Sequence, residues 1–320
     1  MNGGCMEQFY QAVDHLYQTG DLAGVEETLL GKLEQLGQRN PVQYAQVANE
    51  LAAYYRQVSR CQQAEAWFER ALCVLEGCDM RDSELYASVE MNYAGLLRLT
   101  GQLSLAEERF SSAKDRMERL SRTDSYAYHC VLNNLTLVYQ IQGQLEQAEQ
   151  SARASLAWNL RQPDNANEVA ASLTHLAEIC QSRGEDDAAW KLIQEALKRY
   201  EQMPEPNVHH VAALETCANL CLKREQWRQA LGCFVQAREK VAHFFGRDME
   251  YAVASEQMAV TLGKLDRWQE AMECQQEAWE IKGRLAGPDS LMALQAKRRL
   301  QCMQAEQARA ATERIGKEHL

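Results

Sequence analysis

The chain has 320 residues, and its 45 acidic side chains outnumber the 34 basic ones, giving a formal net charge of -11. This balance disfavours a nucleic-acid partner, which would need a concentrated basic face. The 11 cysteines include no CxxC pair and read as reduced, packed side chains.

The composition also indicates the fold class and the cellular compartment. The chain has only 5 prolines and few β-branched runs, so helices are favoured over strands. No basic stretch followed by an apolar core marks a signal peptide at the start, and no run of 18 apolar residues occurs. We therefore expect a cytoplasmic, all-α protein with no membrane partner.

The first predicted element is a degenerate helical hairpin over residues 7–36, which turns near Gly20. A regular pattern follows. Six alanines recur at intervals of 42, 42, 41, 41 and 41 residues, namely Ala64, Ala106, Ala148, Ala189, Ala230 and Ala271. Such a fixed period predicts repeats, here at 42–78, 84–120, 126–161, 167–203, 208–245 and 249–286.

Each repeat has the pattern of two helices. Ahead of every anchor alanine stands an apolar pair at i, i+4, such as Leu51 with Tyr55, and a small residue follows its first member. That spacing puts the pair on one helix face. A glycine at 101, 143 or 184 ends the first helix, where a left-handed conformation is needed. Glu225 and Asp266 hold this slot in the last two repeats, so we expect a different turn or strain there. Residues 289–315 predict a capping helix.

These residues resemble the tetratricopeptide repeat, whose small, aromatic and alanine slots they share. The 41–42 residue period resembles the longer variety of kinesin light chains and many bacterial proteins, and it favours a bacterial source. Supporting segments are Leu-Asn-Asn-Leu-Thr-Leu-Val-Tyr at 132–139 and Gly-Pro-Asp at 287–289. The resemblance covers about residues 42–300. It implies a right-handed α-solenoid of about seven hairpins, forming one domain over residues 1–320.

No catalytic, metal or cofactor motif stands out. His210, Cys217 and Cys221 share a predicted helix face and are the nearest approach to a zinc site. The two cysteines occupy apolar slots of the repeat, however, so packing is the better interpretation. We read the His209–His210 pair as exposed. The sequence thus predicts a binding protein and no enzyme.

The resemblance implies that the first helix of each hairpin lines a concave groove that binds a protein or peptide. Polar residues recur there at one period, and the arginines favour an acidic side chain or a terminal carboxylate. Solvated helix faces are the alternative interpretation. The predicted peptide-binding residues are Asn49, Arg56, Asn92, Arg98, Asn133, Asn134, Gln140, Glu178, Gln181 and Asn219. Further along, Glu178, Glu215 and Glu256 predict an acidic end of the groove.

Three roles fit these features. The first is an adaptor or scaffold that binds a peptide or protein segment. The second is a bacterial regulator that responds to a peptide pheromone, although such regulators carry an extra N-terminal effector module and the pattern here begins near residue 7. The third is a structural homo-oligomer, because Leu291 and Leu294 would be exposed on the last helix. We expect a monomer or a weak homodimer.

Overall fold

The computed structural model describes residues 3–37, 39–204 and 207–318, so the remaining positions of the predicted domain 1–320 lie outside the described residues. The described residues form fifteen α-helices and no strand. The helices are α1 (Gly3–Thr19), α2 (Leu22–Leu36), α3 (Pro41–Gln57), α4 (Cys61–Gly77), α5 (Glu84–Leu99), α6 (Leu103–Arg119), α7 (Tyr126–Ile141), α8 (Leu145–Asn159), α9 (Ala166–Ser182), α10 (Asp186–Glu201), α11 (His209–Lys223), α12 (Trp227–Phe245), α13 (Met249–Lys264), α14 (Trp268–Ala286) and α15 (Leu291–Glu318).

The helices pack in antiparallel hairpins, as in the pairs α3–α4, α5–α6, α9–α10, α11–α12 and α13–α14. The prediction of an all-α fold of repeated hairpins is confirmed. By its contacts the chain divides into two compact units, Met1–Trp158 (unit 1) and Asn159–Leu320 (unit 2). None of the helices in the described part is both long and apolar enough to cross a membrane.

The six anchor alanines lie in the packed interior of their hairpins. All six are fully buried, as are the small residues of the first helices, such as Ala52 and Ala177. The apolar pairs are also buried, for example Leu51 with Tyr55 in unit 1 and Cys217 with Cys221 in unit 2, except that Tyr139 is half-buried. Small side chains at the crossing points let two helices approach closely, which explains why the period of the alanines predicted the packing.

The turn inside each hairpin uses one backbone conformation throughout. Gly101, Gly143 and Gly184 have φ of 78°, 75° and 79°. Glu225 and Asp266 adopt φ of 56° and 58° in the same slot. Of the two possibilities predicted from the sequence, the structure shows strain rather than a different turn, because a Cβ is disfavoured in the left-handed region.

Replacing Glu225 by glycine should raise the free energy of unfolding by about 0.5–1 kcal/mol. Removing the Cβ relieves a left-handed strain of about 1–2 kcal/mol, and the flexibility of glycine in the unfolded chain offsets part of it. Urea unfolding followed by circular dichroism measures the change. Glu225→Ala is the control, since it removes the charge and keeps the Cβ; an equal gain for alanine would contradict the strain argument.

Candidate functional site

The polar residues predicted for unit 1 lie on α3, α5 and α7, the first helices of three consecutive hairpins. Within unit 1, α3 contacts α5 and α5 contacts α7. The shared period places equivalent side chains side by side on these helices. We call the set Arg56, Asn92, Arg98, Asn133, Asn134 and Gln140 the arginine face.

A hydrogen bond between two amide side chains joins α3 to α5. The Nδ2 of Asn92 donates a hydrogen bond of 3.1 Å to Oδ1 of Asn49. Asn49 is only 6% exposed, so it holds the Asn92 amide in place and acts on a ligand only through it. The carboxamide of Asn92 is half-buried and remains at the surface of the face.

Arg56 lies across the neighbouring helix. Its Nη1 donates to the backbone oxygen of Asn92 over 3.1 Å. The guanidinium occupies the space where Gly95 has no side chain, since a Cβ built there would lie 2.8 Å from the same nitrogen. Glycine in the middle of a helix lowers its stability by about 0.5–1 kcal/mol relative to alanine. At position 95 the missing side chain leaves the space that the Arg56 guanidinium occupies.

Arg98 follows one period later, at the end of α5. Its Nε is buried and has no hydrogen-bond partner among the described residues. Burial lowers the pKa of Arg98. The pKa of Arg56 is lowered first by burial and then by the positive charge of Arg98, while Glu50 acts in the opposite direction. Both guanidinium groups are half-buried, and neither forms an ion pair in the part of the chain described.

The α7 residues extend the arginine face with amides. Asn133 has a buried Oδ1 without a hydrogen-bond partner in the described structure. Asn134 donates from Nδ2 to the backbone oxygen of Cys130 over 2.9 Å, so that donor is used within α7. Gln140 is half-buried at the end of the same helix. Unpaired buried amide atoms are uncommon and indicate a place where a ligand group would be favoured.

Comparison with known proteins identifies the repeat. Residues 45–76 and 253–291 match the family model for the tetratricopeptide repeat. No curated protein matches the chain. The protein carries tetratricopeptide repeats.

Several solved structures of other proteins share its fold. BtubC (BKLC) from P. vanneervenii is 20% identical with a TM-score of 0.58, over 64% of this chain and 85% of that one. A kinesin light chain candidate from Podosopora anserina with nearly identical repeats is 18% identical with a TM-score of 0.51, over 64% and 98%. A Rap protein complexed with competence and sporulation factor is 14% identical with a TM-score of 0.59, over 89% and 81%. At these identities the similarity shows the fold alone.

The remaining predicted groove residues lie on helices α9 and α11 of unit 2. Glu178 of α9 accepts a 3.4 Å hydrogen bond from Thr216 of α11. Gln181 is half-buried on α9, and Asn219 is exposed on α11. Burial raises the pKa of Glu215, and the negative charges of Glu250 and Glu178 raise it further. This part of unit 2 is thus acidic where the arginine face of unit 1 is basic.

Two expectations for unit 2 were wrong. Glu256 is not a groove acid, because it is buried and bonded to Lys282 and Arg299 at 2.8 and 2.6 Å. His210 is not exposed, because its ring stacks on Tyr200 with centroids 5.0 Å apart. The helical period gives the face of each residue, but it does not show which helix covers that face.

Proposed function

We propose that the protein is an adaptor or scaffold that binds a protein or peptide segment on the arginine face, with a carboxylate of the ligand placed between Arg56 and Arg98. The role is binding rather than catalysis, in the cytoplasm, and without a nucleic-acid or membrane partner. Glu178, Gln181 and Asn219 would form a separate, acidic contact surface on unit 2.

One observation carries the proposal. Arg56 and Arg98 are half-buried cations with no ion pair in the described structure, and the positive charge of Arg98 lowers the pKa of Arg56. Placing like charges together in a partly dry site costs free energy, and a bound carboxylate would recover it through bidentate, charge-assisted hydrogen bonds. If Arg56 were only part of a solvated helix face, its side chain would not need to be held against Gly95 of the neighbouring helix.

A peptide is the ligand class that fits the rest of the face. Amides at Asn92, Asn133 and Asn134 carry donors and acceptors that match the N–H and C=O groups of an extended chain. Among proteins with a similar fold, a Rap protein is complexed with competence and sporulation factor. In tetratricopeptide proteins generally, successive helical hairpins stack, and neighbouring hairpins share an exposed inner surface that suits a long ligand.

Reversing both arginine charges should abolish this binding. A peptide library with free or amidated C-termini, and with acidic or neutral side chains, first selects a ligand for the wild-type protein by fluorescence anisotropy. Arg56→Glu with Arg98→Glu should then weaken that ligand by more than 100-fold, since two charge-assisted contacts become repulsive. Arg39→Glu with Arg119→Glu makes the same charge change at exposed positions. Equal losses in both double variants, or selection of ligands without a carboxylate, would refute the proposal.

Gly95→Ala tests how Arg56 is positioned. The new methyl would displace the guanidinium from the backbone oxygen of Asn92. We expect a three- to tenfold loss of affinity, together with a gain in stability of about 0.5–1 kcal/mol because alanine is the better helix former. Anisotropy and urea unfolding measure the two effects. A loss of both affinity and stability would show instead that the variant damages the fold.

The regulator and homo-oligomer roles predict different results in solution experiments on the same protein. A pheromone-responsive regulator would bind a short free peptide and change its affinity for a second protein as a result. A structural oligomer would depend on protein concentration in sedimentation, irrespective of Arg56 and Arg98. Neither has support beyond the shared fold of the Rap protein and the exposure of Leu291 and Leu294.

A further inference from the structure

Where one hairpin of unit 1 meets the next, a glutamate and a tyrosine bond to each other at two of three junctions. Near the end of α4, Glu76 accepts a 2.7 Å hydrogen bond from the hydroxyl of Tyr86, at the start of α5. One period later, Glu118 of α6 accepts the same bond from Tyr128 of α7, again over 2.7 Å. The repeat therefore closes these two junctions with its own polar groups.

A large side chain covers the same two junctions. The guanidinium of Arg116 lies 4.6 Å from the ring centroid of Tyr86. One period later, the indole of Trp158 stacks on the ring of His129, with centroids 4.3 Å apart. One period before Arg116 the chain has Val74, which is shorter and has no polar end.

The first junction, where α2 meets α3, lacks both contacts. The period places Glu34 and Tyr44 there as the equivalents of the bonded pairs, yet they are not joined by a hydrogen bond in the part of the chain that the structure describes. Here α2 and α4 each pack on α3 and border a cavity of about 500 Å³. We call it the α2–α4 cavity. Its volume is within the usual range for ligand sites.

The walls of the α2–α4 cavity are largely apolar and aromatic. Leu30 and Leu33 of α2 face Val74 and Trp67 of α4, and Tyr44 of α3 lies between the two helices. Leu33 and Tyr44 are buried, whereas the other three side chains are half-buried and so are accessible to a ligand.

Two opposite charges line the same cavity without pairing. The guanidinium of Arg70 lies over the rings of Tyr44 and Trp67, 5.4 and 5.3 Å from their centroids. Such stacking orients a guanidinium and leaves its N–H groups free to bind a carboxylate. Glu34 also lines the cavity, and neither Arg70 nor Glu34 forms an ion pair in the described structure. A ligand with only one charge would leave the other charge of the cavity without a partner.

We propose that the α2–α4 cavity binds a small zwitterion with a bulky apolar side chain, namely a free amino acid such as leucine or phenylalanine, or a dipeptide of such residues. The ligand carboxylate would pair with Arg70 and its ammonium group with Glu34. Its side chain would pack against Leu30 and Val74. The cavity shares no residue with the arginine face, so this site goes beyond the function proposed above.

Isothermal titration calorimetry on the full chain tests the proposal. The protein bears Arg56→Glu with Arg98→Glu, so that the arginine face does not contribute. L-Leucine, L-phenylalanine, L-tryptophan and the dipeptide leucyl-phenylalanine are titrated separately. At least one should bind saturably with one-to-one stoichiometry, and the tighter class identifies the ligand as an amino acid or a dipeptide. Acetylating its amine or amidating its carboxylate should each weaken binding about tenfold, since either change removes one ion pair.

Variants of the two charges locate the site. Arg70→Glu should weaken the selected ligand about tenfold or more, whereas Arg228→Glu, the same change at an exposed position of α12, should not. Glu34→Gln should also weaken it about tenfold, and Glu27→Gln, at an exposed position of the same helix α2, should leave the affinity unchanged.

Filling the cavity gives an independent readout. Val74→Trp supplies the side chain that Trp158 provides two periods later, so the variant should fold and lose the ligand. Circular dichroism checks the fold, and if the variant unfolds, the charge variants and capped ligands decide alone. The proposal is overturned by no saturable binding, by capped ligands that bind equally well, by equal losses for Arg70→Glu and Arg228→Glu, or by unchanged affinity in folded Val74→Trp. The arginine-face proposal rests on other residues and survives all of these outcomes.

Discussion

Replacing Glu256 by alanine should lower the free energy of unfolding by about 3–5 kcal/mol, the cost of removing one partner from a buried ion pair. Glu256 is 6% exposed, and its carboxylate accepts from Lys282 at 2.8 Å and Arg299 at 2.6 Å. Lys282 is itself buried, so the alanine variant leaves an uncompensated ammonium inside the protein. Because the three residues come from α13, α14 and α15, the damage should concentrate at the C-terminal end of the chain.

Urea unfolding gives the overall loss, and hydrogen exchange locates it. Contacts in repeat proteins are mainly between neighbours, so protection should fall first in α15 and the hairpin next to it. The control is Glu239→Ala, an exposed glutamate on α12, which should change stability by less than about 0.5 kcal/mol. Glu256→Met with Lys282→Met should recover much of the loss, since it removes both buried charges. Equal destabilisation by Glu256→Ala and Glu239→Ala would contradict the account.

The hairpins were predictable because their signal is repeated. Each anchor alanine, such as Ala106 or Ala230, stands one period from the next, and each is fully buried. Any single apolar pair at i, i+4 is weak evidence, whereas six in phase exclude a chance pattern. The left-handed turn at Glu225 was foreseen for the same reason, since the period placed it in a glycine slot.

Ion pairs between buried charged side chains could not be predicted from the repeat period. Glu90, which is 4% exposed, pairs with Arg116 of the next helix, and this pair was not predicted from the sequence. Glu256 was placed on a groove face by its column, yet its partner Arg299 lies 43 residues away on α15. A period fixes which residues share a face. It does not show which oppositely charged side chain reaches that face from another helix.

The arginine face was predicted in part. The period aligned Arg56 with Arg98, and in the structure the positive charge of Arg98 lowers the pKa of Arg56. The role of Gly95 was missed, although a signal was present, because Ala53 and Leu137 occupy the equivalent positions one period to either side. A glycine inside a helix, where the repeat otherwise has a side chain, marks a close approach by another group.

The second large effect should come from pH. Burial, and secondly the charge of Lys240, lower the pKa of His210 to about 4, below the ordinary value of 6.5. Its Nε2 is buried without a hydrogen-bond partner in the described structure, so nothing stabilises the imidazolium. A base whose pKa is lowered on folding binds fewer protons in the native state. Its contribution is therefore complete above pH 6.5 and is lost as the pH falls from 6.5 to 4.

The difference between the two pKa values corresponds to about 3 kcal/mol of stability lost across that window. His210→Phe keeps the ring stacked on Tyr200 and removes the titration, so its unfolding free energy should fall about 3 kcal/mol less than that of the wild type between pH 7 and pH 4. The other titrating groups are common to both proteins and cancel in the difference. His243→Phe, at an exposed position on α12, should instead follow the wild-type curve. Parallel curves for His210→Phe and the wild type would mean that unit 2 admits the protonated ring, and that its packing against Tyr200 opens readily.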